Sequence, residues 1–525
     1  MSTTTANEYW AVHADGTPVR TIADIIRRRA RATPDAIAIQ EPERLTTFRE
    51  LDDRSNQVAS GLKGHGIGAG DRVAYIGANG PSFLEVLYGA AKAGAIATSI
   101  NNRLSPREII QLLNDADPAV VVVDRDARTL VETSALPTSV TLLLEVAGEG
   151  DESYEVWRDE QDVQDPNVPV DADDTALILY TSGTSGLPKG IMLTGTNFGC
   201  ALYSLNQDIE LQEDSVCAAP IPFFHIAGLG LALAANLNGG RLLLETAIDP
   251  PAVLRLLVDR RVSHAAVVPT VLQRLLALDD VSREDFSALR YIVYGASPIP
   301  LPVLKEATEV IGCKFLQSYG LTESTGGFTV LGADDHVADE AFARRLTSAG
   351  KAMPDAEIRV VDPMTLKDVP VGTRGEVLVR GRRIMLGYWR QPELTASLIL
   401  EGGWLRTGDG GSFDEDGYLY LNDRIKDMII SGGENIYPAE VESALTGHPD
   451  ILEVAVIGVP SAEWGESPHA VVVLRPGSTL DEVTLIEWSR GQLAHFKCPA
   501  SATFVDALPR TASGKLQKAK LREQR

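Results

Sequence analysis

The first part of the chain switches repeatedly between two hydrophobic periods. From Thr21 to Ala32 apolar residues recur at helical spacing with arginines between them, which predicts a helix with one buried face. Ala36 to Gln40 alternates like a short strand, and Thr47 to Gly64 returns to the helical period. Asp71 to Ile76 then reads as a buried strand, Ser82 to Ala93 as a helix and Ala95 to Ile100 as a second strand. Pro106 to Asn114 is helical in pattern, and Ala119 to Val123 is a continuous β-branched run. Strands separated by helices of this length predict βαβ units and a parallel sheet.

The rhythm changes in two places. Gly148 to Asp174 is acidic, holds Pro166 and Pro169, and has little periodicity, so it is expected to be a loop or a domain junction. Alternation of helix and strand resumes after it. Between residues 351 and 422 short β runs at Ala356–Val361, Gly375–Val379 and Gly417–Leu421 are separated by Gly, Pro and Asp, which suggests a smaller β-rich subdomain. Toward the C-terminus, Ile451–Val459 and His469–Leu474 read as strands and Thr484–Leu493 as a helix. There is no internal repeat and no low-complexity tract. The fold class expected is α/β, with stacked α/β subdomains in a large N-terminal domain.

Length and charge narrow the function. At 525 residues the chain is long enough for about three to five domains with a large core. The 48 Lys and Arg against 72 Asp and Glu leave a net charge of −24, which argues against a nucleic-acid binder. It does not oppose a small anionic substrate, because local N–H groups, a lysine and a metal ion can hold one against the overall field. Cys200, Cys217, Cys313 and Cys498 are scattered without CxxC spacing, so neither zinc nor a disulfide framework is expected and a reducing cytoplasm fits. Met1 to Trp10 does not read as a signal peptide, and the apolar run Ile226–Leu237 is too short to cross a bilayer.

The first chemical signal is a loop. The strand Leu177–Tyr180 runs directly into Thr181-Ser-Gly-Thr-Ser-Gly-Leu-Pro-Lys-Gly190. Small and hydroxylated residues closed by a lysine offer N–H groups, hydroxyls and a cation to a polyphosphate. Pro188 stands where a Walker A loop needs its second glycine, and no GxGxxG occurs. A flexible loop with a solvated lysine would share this composition, but the order of residues is distinctive. It closely resembles the signature loop of the adenylate-forming superfamily, which includes acyl-CoA synthetases, peptide-synthetase adenylation domains and firefly luciferase. The superfamily's other motifs follow in order. Pro222-Phe-Phe-His-Ile-Ala-Gly228 resembles the aromatic motif, Tyr294-Gly-Ala-Ser297 the adenine-binding turn, and Gln317-Ser-Tyr-Gly-Leu-Thr-Glu323 the YGxTE motif. Gly403-Trp-Leu-Arg-Thr-Gly-Asp409, Asp423-Arg-Ile-Lys-Asp427, Ser431-Gly-Gly-Glu-Asn-Ile436 and Pro509-Arg-Thr-Ala-Ser-Gly-Lys515 complete the set.

The resemblance implies a reaction and a cast of residues. A carboxylate joins the α-phosphate of ATP with release of pyrophosphate, and the acyl group then passes from AMP to a thiol. Thr181, Ser182, Gly183, Thr184 and Lys189 would cradle the departing pyrophosphate. Glu323 would help to hold Mg2+, with Thr322 donating to the α-phosphate. Tyr319 would stack on adenine, and Gly295, Ala296, Ser297, Gln317, Ser318 and Gly320 would line the nucleotide. Asp409 would accept both ribose hydroxyls, although its neighbouring glycines also suit an ordinary turn. Arg424 would contact ribose or phosphate. Lys515 would stabilise the adenylation transition state. His225 would lie near the carboxylate and gate the thiol.

The family performs both half-reactions by rotating a small, mobile α+β C-terminal domain about a hinge. By resemblance the adenylation domain spans residues 1–424, the hinge 425–427 with Lys426, and the C-terminal domain 428–525. After rotation Ser431, Gly432 and Gly433 would face the site and leave room for pantetheine. Pro222–Gly228 lacks the Asp that amino-acid-activating relatives carry, and no carrier domain follows, so coenzyme A is the expected thiol. The expected acid is a medium- or long-chain fatty acid, because Ile226–Gly230, Pro269–Leu272, Gly295 and Gly326–Phe328 are apolar or small. An aryl acid such as benzoate or cinnamate is the alternative. Gly195, where many relatives have His, is expected to loosen packing beneath the phosphate loop. Other readings are a noncatalytic acyl- or nucleotide-binding module, a luciferase-like oxygenase and a serine hydrolase, the last weakened because Tyr294-Gly-Ala-Ser297 lacks the closing Gly of GxSxG. No transmembrane segment is expected, and a homodimer is compatible with the sequence.

Overall fold

The computed structural model describes the chain except residues 1–9, 13–15, 182–187, 245–248, 298, 337–343, 425, 426, 428, 432, 433, 437, 462, 463, 494, 511–515 and 525, and except the side chains of 151, 422–424, 430, 434, 435, 439, 465 and 496. It forms two compact units, residues 1–357 with 379–405, and residues 358–378 with 406–525.

The first unit is built on two sheets. In one, the strands Thr175–Thr181, Ile96–Ile100, Arg72–Ile76, Val120–Asp124 and Leu142–Val146 are parallel neighbours in that order. Lys189–Thr194 and then Gly387–Tyr388 are added antiparallel beyond Thr175–Thr181. The other sheet has nine strands, with Lys314–Leu321, Tyr291–Gly295, His264–Val267, Val216–Ala218, Arg241–Leu243 and Ile37–Gln40 parallel. Gly326–Leu331 and Lys351–Ala352 run antiparallel at one edge and Leu45–Thr47 at the other. Ile96–Ile100 and His264–Val267 are buried along their whole length, as expected of parallel strands covered on both faces. The helices predicted from periodicity appear at Ile22–Ala32, Phe48–Gly64, Pro81–Ala93 and Pro106–Ala116. Two begin at capping boxes, in which Thr47 and Glu50, and Ser105 and Glu108, satisfy each other's N–H groups.

Two expectations change and one alternative is removed. The acidic segment 148–174 is not wholly irregular, since Tyr154–Asp159 forms a short helix. Six residues are too few to show a period, and tertiary contacts hold the helix: Tyr154 Oη and Arg158 Nη1 both donate to the buried Glu85 carboxylate. Gly195 does not loosen its surroundings. A Cβ there would stand 2.3 Å from Arg20 O, so the backbone of this helix start is in direct contact with the N-terminal segment. Of the settings left open for Asp409, the alternative of an ordinary turn falls away, since the glycine-rich stretch is part of the strand Trp404–Phe413.

In the second unit, Leu419–Arg424 pairs antiparallel with Trp404–Phe413. A further sheet joins Ile429–Ser431, Glu434–Ile436, Gly465–Leu474, Ile451–Ser461 and Ser501–Phe504. Helices Pro438–Thr446 and Glu482–Arg490 contribute Val441, Leu445 and Leu485 to a core with Val456 and Val472.

Candidate active site

In the first unit the predicted nucleotide residues gather at the carboxyl ends of parallel strands, where open α/β sheets bind ligands. Tyr291–Gly295 ends at the adenine motif, with Gly295 opposite Ser318 in register and Tyr294 opposite Gln317. The fit is close, because a Cβ on Gly295 would lie 2.2 Å from Ser318 O. Ala296 follows in the left-handed region at φ 66°, and Ser297 is half-buried. Tyr294 is buried and shares a hydrogen bond with His336 Nε2 at 3.0 Å, while His336 Nδ1 lies 2.8 Å from Gly332 O. The carbonyl only accepts, so Nδ1 carries the proton and Nε2 receives the phenol's; burial lowers the His336 pKa and favours this neutral ring.

The YGxTE motif turns a tight corner. Between Tyr319 and Gly320 the pairing with Gly326–Leu331 shifts register. A Cβ on Gly320 would meet Gly326 O at 2.0 Å. Tyr319 presents its ring edge-on to Phe328, with centroids 4.8 Å apart. Thr322 and Glu323 occupy a single 3-10 turn, Thr322–Ser324, closed by Ser324 Oγ, which lies within hydrogen-bond reach of Leu321 N, Leu321 O and Gly326 O.

Glu323 is half-buried and held from a distant segment. Tyr388 Oη donates to its Oε1 at 2.8 Å, and Met385 N donates to its backbone carbonyl at 2.8 Å. Thr325 Oγ1 donates to Arg383 O, and Asn197 Nδ2 donates to Arg382 O and Ile384 O, which fixes the segment carrying Tyr388. Thr181 and Lys189 pair in register across the mouth of the phosphate loop. Lys189 Nζ lies 5.4 Å from the Tyr388 ring centroid. Ser182, Gly183 and Thr184 lie outside the described residues.

His225 stands at the N-cap position of the helix Ile226–Asn238 without a side-chain hydrogen bond to the helix end, and its ring centroid is 4.6 Å from that of Phe224. The segment before it is clamped by Asn79, whose Nδ2 donates to Ile221 O and whose Oδ1 accepts from Phe223 N. Along this helix Ile226 lies 3.8 Å from where a Cβ on Gly326 would be, so helix start and YGxTE turn adjoin. One turn further, a Cβ on Gly230 would meet nothing within 4 Å.

In the second unit Asp409 and Arg424 are opposite each other in register, with a bulge between Asp409 and Gly411. Asp409 N donates to Thr407 Oγ1, which in turn donates to Val377 O. Arg406 grips the buried Glu376 through Nε and Nη2, at 3.0 and 2.5 Å from Oε2. Ser431 pairs with Glu434 and Gly465. The Arg424 side chain, Lys426, Gly432, Gly433 and Lys515 lie outside the described residues. Arg510 and Leu516, which flank the Lys515 segment, form an antiparallel bridge.

Among the described residues no cluster of three or more His, Cys, Asp or Glu could hold a metal ion. A lone carboxylate still fits magnesium, which usually binds through one or two carboxylates together with substrate phosphates. Glu323 suits that role, since the bond to Tyr388 uses one oxygen and leaves Oε2.

This assembly of glycine-packed nucleotide edge, carboxylate turn and phosphate loop is that of an adenylate-forming enzyme. The chain belongs to the AMP-binding enzyme family, whose profile matches residues 26–389, with the family's C-terminal domain matching 440–515, and it falls in the CoA-ligase branch of the adenylate-forming superfamily. It is 40% identical to a feruloyl-CoA synthase from Amycolatopsis sp over 94% of this chain and 97% of that protein. It is 34% identical to the long-chain-fatty-acid–CoA ligase FadD13 of Mycobacterium tuberculosis, over 96% and 99% of the two chains. The crystal structure of ATP-bound MatB from Rhodopseudomonas palustris superposes with a TM-score of 0.87 at 33% identity, covering 96% of this chain and 98% of that one. No helix among the described residues is long and apolar enough to cross a membrane.

Tyr388, Arg383 and Asn79 hold segments of the candidate site and are not singled out by the sequence. Gly387–Tyr388 is a two-residue strand that leaves no periodicity, and Asn79 acts on a segment 142 positions away.

Proposed function

We propose that the protein is an AMP-forming ligase that activates an aryl-propenoic acid of the hydroxycinnamate type and transfers it to coenzyme A. The observation that carries the choice of acid is the open space at Gly230, five residues or about 7.5 Å along the helix axis from His225. A carboxylate placed by His225 would put the ring of such an acid beside Gly230, where the helix leaves open space, unlike Gly228, which is packed against Ile221 O. The likeness to a feruloyl-CoA synthase supports the same reading. An aliphatic acid is the second reading, favoured by the likeness to FadD13 and by the apolar helix.

In this reading Thr181, Ser182, Gly183, Thr184 and Lys189 receive the β- and γ-phosphates. Thr322 donates to the α-phosphate, where negative charge builds up as pyrophosphate leaves. Glu323 would hold magnesium, which neutralises the triphosphate when bound. Gly295, Ala296, Ser297, Gln317, Ser318, Tyr319 and Gly320 hold adenine, and Asp409 with Arg424 the ribose. Lys515 brings its ammonium to the carboxylate and α-phosphate during adenylation. The segment 425–427, with Lys426, is the hinge between residues 1–424 and 428–525, and it exchanges Lys515 for Ser431, Gly432 and Gly433 before the thiol enters. The reaction takes place in the cytoplasm.

The test is AMP and pyrophosphate release from magnesium-ATP with ferulate, cinnamate, benzoate, octanoate and palmitate, with and without CoA. Turnover with ferulate or cinnamate that requires CoA and falls at least about 100-fold in Lys515→Ala is expected. Preference for palmitate replaces the acid, and ATP binding without turnover on any acid replaces the ligase by a binding module.

A further inference from the structure

Tyr388 lies in none of the motifs that carry the family resemblance, yet its side chain touches two groups of the phosphate site. Its hydroxyl donates to Glu323 Oε1 at 2.8 Å, and its ring lies 5.4 Å from Lys189 Nζ. These residues are 65 and 199 positions away in sequence (388 − 323 and 388 − 189) and belong to different strands and turns. Tyr388 is the side chain they share.

The tyrosine is itself fixed by contacts that involve neither group. Tyr388 pairs with Ile191, and its N–H donates to Thr395 Oγ1 at 2.8 Å. Trp389 N donates to Gly190 O at 2.7 Å, and the indole N–H donates to Asp115 O at 3.0 Å. The guanidinium groups of Arg72 and Arg390 also lie 5.3 and 5.4 Å from the Trp389 ring centroid. Only 4% of Tyr388 is exposed, so the ring cannot turn away without opening this packing. A rigid phenol that binds a carboxylate by its hydroxyl and an ammonium by its face sets the position of one relative to the other.

We infer that Tyr388 is a positioning residue that couples the metal-binding carboxylate to the phosphate-loop lysine. It holds Glu323 Oε1 so that Oε2 is presented to the metal–triphosphate, and it holds the Lys189 ammonium against its face in the position from which it meets the phosphate oxygens. The inference rests on the proposed ATP chemistry of this site, but not on the identity of the acid.

Two variants of the full chain separate the two contacts. Tyr388→Phe keeps the ring and loses the hydroxyl, and Tyr388→Leu loses both. Mn2+ binding is followed by electron paramagnetic resonance in the presence of a non-hydrolysable ATP analogue, and binding of the analogue itself by calorimetry. Loss of a charge-assisted hydrogen bond should weaken Mn2+ binding about tenfold in both variants. Loss of the ring face should weaken the analogue about threefold in Tyr388→Leu alone. A purely structural tyrosine would not split the two readouts in this way. Wild-type Mn2+ binding in Tyr388→Phe, or identical losses of Mn2+ and analogue binding in both variants, would overturn the inference. If Tyr388→Leu fails to fold, the Mn2+ titration of Tyr388→Phe decides alone. These measurements need no acid, so a chain that turns over no acid but shows the Mn2+ effect loses the proposed function and keeps the coupling. A chain that turns over ferulate with unmoved Mn2+ binding does the reverse.

Discussion

The YGxTE strand and the helix Ile226–Asn238 meet at the turn 322–326, and they treat space in opposite ways. At Gly320 and Gly295 a Cβ would be driven to 2.0 and 2.2 Å from backbone carbonyls, whereas at Gly230 it would meet nothing within 4 Å. The proposed nucleotide side is therefore shaped by main chain against main chain, which no side-chain rotamer can relax. The helix face at Gly230, the proposed acyl side, has room for a side chain, so a single substitution can change it without moving a strand. Chemistry common to a family belongs on the first kind of surface and choice of acid on the second.

The largest effect should come from breaking the tight side. In Gly320→Ala the new methyl faces Gly326 O and the neighbouring Gly327 Cα, neither of which has a side chain to swing away. Separation of the strand pair should cost about 3 kcal/mol of stability, read by denaturant unfolding, and weaken binding of an ATP analogue in parallel. Wild-type stability together with wild-type nucleotide affinity would mean that the two strands part freely and that the contrast is false.

Filling the open side should do the reverse. Gly230→Leu replaces a glycine within a helix by a good helix former, so stability should hold or rise by up to about 1 kcal/mol. Nucleotide affinity should not change. The preferred acid should lose about 10- to 100-fold in kcat/KM while a smaller acid such as acetate or propionate gains relative to it, because each methylene of pocket volume is worth roughly that factor. An equal loss on every acid would place Gly230 outside the acyl pocket.

How much of this was legible follows from the same contrast. The YGLTE turn is legible because close approach of main chain to main chain, as at Gly320, demands small residues in a fixed local order; most of the phosphate loop, 182–187, lies outside the described residues. Around Asp409 the sequence leaves two settings open: Gly408, Gly410 and Gly411 also suit a turn, and only pairing with Leu419–Arg424 makes the segment a strand with a bulge. The helix Tyr154–Asp159 was missed because the cause of its order is Glu85, far away in sequence. The same holds for Tyr388 on Glu323 and for Arg383 behind Thr325. Contacts between distant segments leave no period and no local composition to read.

The smallest effect concerns what stands behind the tight side. Arg383, whose carbonyl accepts from Thr325, has no exposure and pairs with Asp355 through Nε at 2.7 Å. Asp208 ends the helix Gly195–Asp208 close enough to feel the Arg383 charge, but its Oδ2 and Arg383 Nη2 are buried with no hydrogen-bond partner among the described residues. Burial outweighs the attraction of Arg383 and pushes the Asp208 carboxyl up to about 6 from 3.8. A folded pKa above the unfolded one means that the folded chain binds the extra proton between those values. The stability it contributes is fully present below about pH 4 and is lost as pH rises through about 6. Asp208→Asn keeps the shape and removes the titration, so relative to wild type it should gain about 1–2 kcal/mol at pH 8 compared with pH 4, after discounting for partial exposure. Unfolding curves of both chains at those two pH values check this, and a difference that stays the same at both would show that Asp208 remains ionised beside Arg383 throughout. In that case the support behind the nucleotide edge is a buried ion cluster, and its neutralisation at acid pH should loosen Thr325 and the turn that carries Glu323 while leaving the helix face at Gly230 unchanged.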